Sequence, residues 1–231
     1  MKTVVITGAN RGIGLGFVNY YLSNGWQVIA LSRNTVDSSA LTTLNHNIDT
    51  CFHNLTVNLL DETSINTTAK NIKHLCNGVD LLINNAGVAE HEVFGKWSQT
   101  ALMVNFQVNS VAPALLTQAL SSQLNPHSKV IQLSSGLASI SSNQNPLEGF
   151  DGYCMSKAAI NMLTRRVASK LADKNIIVNA ISPGWVQTDM GGPEAPATIT
   201  QAINTLTQTI AALIIENSGD FLDENGKKID W

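Results

Sequence analysis

Two hydrophobic rhythms alternate along this chain. Short unbroken apolar runs recur, at Val4-Val5-Ile6, Val28-Ile29-Ala30-Leu31, Leu81-Leu82-Ile83, Val130-Ile131 and Ile176-Ile177-Val178. Such runs suit strands of a parallel sheet, which are buried on both faces and so have no polar side to show. A more mixed strand is predicted over about Cys51 to Val57. Between the strands, apolar residues fall at helical spacing. The first helix runs to about Asn24, where Gly25 can close it. Further helices are predicted over about Asn58 to Cys76, Ser98 to Leu124, Gly152 to Asp173 and Thr198 to Glu216. Pro113 inside the second of these predicts a kink, with unpaired carbonyls just upstream, close to Asn109. The tail from Gly219 reads as a short strand, a turn at Asn225-Gly226 and a terminal segment. Six strand–helix alternations predict an α/β fold, a doubly wound parallel sheet with helices on both faces. No repeat, linker or low-complexity tract divides residues 1–231, which read as a single domain.

Composition narrows the function classes. Hydrophobic residues make up 44% of the 231 and charged residues 13%, enough to bury a large core. The net charge of −3 gives no basic footprint for nucleic acid or an anionic membrane. Apolar runs such as Ile210 to Ile215 are too short to span a bilayer. The chain opens directly on a strand, which leaves no signal peptide, so the Asn54 and Asn66 sequons read as chance. Cys51, Cys76 and Cys154 form no paired motif, and the five histidines no metal-ligand cluster. These features point to a cytoplasmic enzyme without a metal.

The first candidate chemistry lies between the first strand and its helix. Gly8-Ala9-Asn10-Arg11-Gly12-Ile13-Gly14 is a glycine-rich turn that lets backbone approach a pyrophosphate resting on free helix N–H groups. Its glycine spacing is not that of a P-loop, since no Gly-Lys-Ser/Thr follows. Past the second strand, an NAD site would place an acid on the ribose hydroxyl. Arg33 stands there instead, and Arg11 sits in the glycine turn. Two guanidinium groups suit a 2′-phosphate and so favour NADP(H), the alternative for Arg33 being a solvated surface charge. Asn58, with Leu59 beside it, either meets an adenine edge or caps the following helix. Asn85-Ala86-Gly87 closes the fourth strand beside the crevice where ligands of such sheets lie. In Gly152-Tyr153-Cys154-Met155-Ser156-Lys157 a phenol and an ammonium four residues apart share one helix face. The ammonium favours the phenolate and so brings its proton nearer to useful acidity. Met190 to Pro196 reads as a mobile lid loop.

With those residues in order along almost the whole chain, the sequence resembles the short-chain dehydrogenase/reductase family. The likeness rests on Thr7-Gly8-x3-Gly12-x-Gly14, Asn84-Asn85-Ala86-Gly87, Asn109, Ser135, Tyr153-x3-Lys157 and Pro183-Gly184 with Thr188. The stretch Pro183 to Gly192 and the ending at Trp231 more narrowly resemble C-factor and Sniffer-type carbonyl reductases. The resemblance implies a Rossmann-type sheet of about seven strands in the order 3-2-1-4-5-6-7. It implies Tyr153 as general acid/base, with Lys157 lowering its pKa and holding the nicotinamide ribose. Ser135 would bond the carbonyl oxygen, and Asn109 would anchor a water linking Lys157 to solvent. Val186 and Thr188 would hold the nicotinamide end, beside Pro183 and Gly184, and Asn85 to Gly87 the adenosine side. The implied substrate is a small carbonyl or secondary alcohol. A homo-oligomer paired through the Tyr153 helix is also implied, with Arg165, Arg166 and Lys170 facing solvent or a partner. The alternative function is a cofactor-binding signalling or scaffold protein with little or no turnover.

Overall fold

The computed structural model describes residues 1–33, 41 and 51–231. The first half of the chain contains β1 (Thr3–Thr7), α1 (Gly12–Ser23), β2 (Gln27–Ser32), β3 (Phe52–Thr56), α2 (Glu62–Leu75) and β4 (Val79–Asn84). Then come α3 (Gln99–Phe106), a π-helical turn (Gln107–Val111), α4 (Ala112–Leu120) and β5 (Leu124–Leu133). The chain continues through α5 (Asp151–Leu171), β6 (Ile177–Ile181), α6 (Ile199–Ala212) and β7 (Phe221–Leu222). The seven strands form one sheet in the order β3-β2-β1-β4-β5-β6-β7, every neighbouring pair parallel. Apart from Leu41, the connection between β2 and β3 lies outside the described residues. No helix among the described residues is long and apolar enough to cross a membrane.

The unbroken apolar runs have a direct cause in this architecture. Val4 and Ile6 of β1 enter a core with Phe17 of α1 and Ile203, Leu206 and Ile210 of α6. Val5, between them, enters the opposite core with Ile65 and Ile72 of α2 and Leu116 of α4. Burying each such side chain fully contributes about 1.5–3 kcal/mol, so a polar residue in the run would cost on either face.

Three predicted elements differ from what forms. The helix expected from Asn58 starts at Glu62, because Asp61 provides the cap by accepting the Thr63 N–H at 2.9 Å. The long helix expected from Ser98 to Leu124 is capped by Ser98 but ends at Leu120, and it is split by the π turn. Pro113 falls in the first turn of α4, where its missing N–H is least needed, and the extra residue of the π turn absorbs its ring. β5 begins at Leu124, earlier than the apolar run indicates. Its register shifts between Val79 and Leu81 of β4, and His127 takes φ 64°, so Asn125-Pro126-His127 passes through an irregular stretch.

Candidate active site

The carboxyl ends of the strands open into a crevice of about 1110 Å³. One wall is the turn from β1 into α1, with Gly8, Asn10, Arg11, Gly12, Ile13 and Gly14 lining it. A Cβ on Gly14 would stand 2.1 Å from the Gly8 carbonyl oxygen, so no side chain fits there. Asn85 locks this turn, its Nδ2 donating to the Thr7 carbonyl at 2.8 Å and the Gly8 carbonyl at 3.2 Å. The Ala86 N–H adds a bond to Thr7 Oγ1 at 3.0 Å. The Asn85 amide expected to face a ligand is therefore committed to the glycine turn, although Asn85, Ala86 and Gly87 all line the crevice. Arg11 begins α1 without a side-chain capping bond, and the first turn carries no acidic residue, which leaves the helix N-terminus suited to an anion.

The opposite wall comes from α5. Its register puts Tyr153 and Lys157 one turn apart and facing the crevice, the Lys157 Nζ 5.7 Å from the phenol ring centre. Gly152 lets the helix start close to α3, since a Cβ there would lie 2.9 Å from Leu102 Cδ2. Lys157 Nζ donates to the Leu133 carbonyl at the end of β5, at 2.5 Å. Ser134 is turned inward and donates to Asn161 Oδ1 at 2.6 Å. Ser135 is the serine of this pair that acts on the phenol, lowering its pKa, while its Oγ accepts the Leu137 N–H at 3.2 Å. Asn109, in the π turn, lies beneath this group. Its Oδ1 accepts the Val88 N–H, and its Nδ2 donates to the Val88 carbonyl and to Ser156 Oγ, at 2.8–2.9 Å. It thus ties the segment after β4 to the helix carrying Tyr153.

Burial dominates the electrostatics. It pushes Tyr153 up to about 12, against a smaller downward effect from the Ser135 hydrogen bond. It also pushes Lys157 down to about 8. The sequence reading has the ammonium drawing the phenol toward neutral acidity. Between the protein's own groups the cost of desolvation outweighs that attraction, and both side chains are held toward their neutral forms.

The family profile described as short chain dehydrogenase matches residues 2–198. The chain belongs to the short-chain dehydrogenase/reductase family. Among its curated relatives, C-signal of Myxococcus xanthus is 33% identical over 167 residues, covering 68% of this chain and 96% of that one. Carbonyl reductase Sniffer of D. melanogaster superposes with TM-score 0.94 at 29% identity, covering 100% of both chains. NADPH-bound carbonyl reductase from chicken fatty liver gives TM-score 0.94 at 30% identity, covering 100% of this chain and 94% of that one.

Elsewhere in this dehydrogenase the crevice departs from expectation in particular residues. Arg33, Asn58 and Leu59 line it beyond β2 and β3. Asn58 is not the helix cap; its Oδ1 accepts the Leu60 N–H at 3.1 Å, one of the two bonds an amide oxygen can accept. Arg11 does not stand free beside Arg33, because its guanidinium pairs with Asp189 at 2.6 Å. Pro183 and Thr188 line the crevice, whereas Gly184 and Val186 do not. Gly184 turns toward Glu224, whose carboxylate would lie 3.3 Å from an added Cβ. Val186 is buried, with its backbone bridged to Ala197. The stretch expected as a lid is tied to itself and its base, by Trp185 Nε1 to the Gly191 carbonyl at 2.6 Å and Gln187 Nε2 to the Ala195 carbonyl at 2.9 Å. Arg165, Arg166 and Lys170 are exposed as expected, and the Arg165 guanidinium also lies over the Trp231 ring of its own chain at 5.3 Å. Asp189, Gln187 and Val57 also line the crevice and were not singled out from sequence. For Asp189 the one available signal was a carboxylate directly after Thr188, with no spacing rule linking it to Arg11.

Proposed function

We propose that this short-chain dehydrogenase is an NADP(H)-dependent carbonyl reductase, working in either direction between a carbonyl and its secondary alcohol. The observation that carries the reading is that Tyr153 and Lys157, one helical turn apart, face the crevice that the glycine turn also lines, with Ser135 near enough to the phenol to lower its pKa. The turn fits a dinucleotide. Gly8 and Gly14 leave no side chain in the way, and the uncapped start of α1 suits a pyrophosphate. Arg33 closes β2 where an acid would be needed to favour NAD, and its planar fork suits a 2′-phosphate. The NADPH-bound relative from chicken liver supports the same choice.

When bound, the nicotinamide supplies or accepts the hydride. The chain's part is to manage the charge that this places on the carbonyl oxygen. Tyr153, held up to about 12, is fully protonated at neutral pH and gives its proton to that oxygen. Ser135 donates a second hydrogen bond from its hydroxyl, whose oxygen is held by the Leu137 N–H. Once the phenol has lost its proton, the buried phenolate is stabilised by the Lys157 ammonium and the Ser135 hydroxyl. Asn109 acts through its backbone, since its amide is committed to Val88 and Ser156. Pro113 has no N–H to donate to the Asn109 carbonyl one turn upstream, and that carbonyl would hold the water leading from Lys157.

The test is loss of NADPH absorbance against a panel of aldehydes and ketones, alongside NADH. Turnover with NADPH supports the reading. A second reading, a cofactor-binding signalling protein with little turnover, draws on the likeness to C-signal. Tight NADPH binding with silence across the whole panel would favour it.

A further inference from the structure

The ending of the chain carries part of the family resemblance in its sequence but takes no part in the chemistry above. After β7 the backbone reverses at Gly226 and returns alongside it, through the Leu222–Lys228 bridge and an Ile229 N–H bond to the Phe221 carbonyl at 2.9 Å. This return carries the last residues over the turn that follows Ser135. Ser139 Oγ, buried, donates to the Asp230 carbonyl at 2.6 Å, and the Ser141 N–H donates to the Trp231 carbonyl at 2.8 Å. Ala138 is buried in a small separate core with Phe221 and Ala180, against which Ile229 and Trp231 pack. The Trp231 ring is itself held on two sides, by Phe221 at 5.7 Å and by the Arg165 guanidinium at 5.3 Å.

The segment so held is a single 3-10 turn, Gly136–Ala138, whose N-terminal cap is Ser135. One such turn has little stability of its own. Apart from the tail, it is fixed by the end of β5, by packing against α5 and by the Gly136 N–H bond to Ser182 Oγ at 3.0 Å. We infer that Trp231 is a positioning residue: by clamping Ala138, Ser139 and Ser141, the C-terminal strap aims the Ser135 hydroxyl at the reacting oxygen. The inference rests on the proposed carbonyl reduction for its kinetic consequence but not for its structural one. A hydrogen-bond donor aimed at a developing oxyanion tolerates little displacement, and a shift of about 1 Å costs up to a hundredfold in rate.

In the full chain, Trp231→Ala is expected to lower kcat between about ten- and a hundredfold while NADPH affinity stays within about twofold. Trp231→Phe, which can still stack on Phe221, should recover most of the loss. In a Ser135→Ala background, Trp231→Ala should cost almost nothing further, because the strap works through that hydroxyl. Equal losses in both backgrounds, or wild-type kcat in Trp231→Ala, would overturn the inference. Amide hydrogen exchange separates this from the reaction itself. The Ala138, Ser139 and Ser141 amides should exchange faster in Trp231→Ala while those of β4 do not change. Exchange unchanged at those three amides, or accelerated evenly across the sheet, would also overturn it. If the wild-type protein reduces no carbonyl, the proposed function fails, and the exchange pattern alone decides the strap.

Discussion

Removing one oxygen atom tests the chemistry while leaving the fold almost untouched. In Tyr153→Phe the ring keeps its place near Phe150, whose ring centre is 6.5 Å away, and Lys157 keeps its bond to the Leu133 carbonyl. Ser135 keeps the Leu137 N–H at its Oγ. The folding cost is at most the net value of one hydrogen bond, about 0.5–1.5 kcal/mol, and is partly offset because a buried hydroxyl no longer has to be desolvated. At roughly 2–4 °C per kcal/mol for a chain of this size, Tm should fall by no more than about 6 °C. Catalysis should suffer far more. The phenol is both general acid, worth about 10²–10⁴ in rate, and an oxyanion donor worth about 2.7–4 kcal/mol. These are two descriptions of one group and do not add, so kcat should drop by about 10³ to 10⁴, or about 4–5.5 kcal/mol of transition-state stabilisation. Steady-state NADPH consumption gives kcat, and a fluorescence titration gives dinucleotide affinity, which should change little. A variant that kept more than about a tenth of wild-type kcat would show that the proton comes from another group.

Other perturbations reach separate parts of the site. Arg33→Asp should weaken NADPH binding by at least about tenfold and NADH much less, since a charge-assisted bond is worth about 1.5–3 kcal/mol; an unchanged ratio in parallel titrations would remove the 2′-phosphate assignment. Gly14→Ala places a methyl 2.1 Å from the Gly8 carbonyl oxygen, so the turn must shift. It should lose most dinucleotide affinity and about 1–3 kcal/mol of stability, read by titration and by urea unfolding. Lys157 titrates near 8 in the fold, below its unfolded value, so the unfolded chain binds more protons between that pH and about 10.4. Its contribution to stability therefore rises with pH across that window, by up to about 1.4 kcal/mol per unit, and Lys157→Met should flatten the rise in urea midpoints.

The sheet was readable because its physics is local. Apolar runs like Val4-Val5-Ile6 have one comfortable home, between two helical layers, and the helices between them space their apolar residues accordingly. What stayed hidden depends on partners distant in sequence. Nothing near Asn125-Pro126 announces a strand, because the pairing that starts it is Leu124 with Val79 and the irregularity is absorbed by a register shift in β4. Pro113 signalled a disturbance near Asn109, but not that a π turn would accommodate it. Tyr153, Lys157 and the glycines were found through short spacings on one helix and in one turn. The Arg11–Asp189 pair joins residues 178 positions apart, and the commitment of Asn85 to the Thr7 and Gly8 carbonyls is a contact between strands. The acidity of the phenol was misjudged for a related reason: the Lys157 charge is visible in sequence, whereas the burial that overrides it is a property of the assembled crevice.

The hairpin after β7 has one more effect, on how copies of this protein can meet. An open sheet margin invites a second chain to add a strand by main-chain pairing. Here that margin is only two residues long, and the chain's own return has already taken it: the Asp223 N–H is bonded to the Lys227 carbonyl and the Ile229 N–H to the Phe221 carbonyl. Lys227 also sets a charge on the rim, where it disfavours pairing with another edge, while Lys228 is paired with Asp220 at 3.0 Å. The return thus blunts lateral strand exchange at β7, and with it the fibrous aggregation that such exchange leads to.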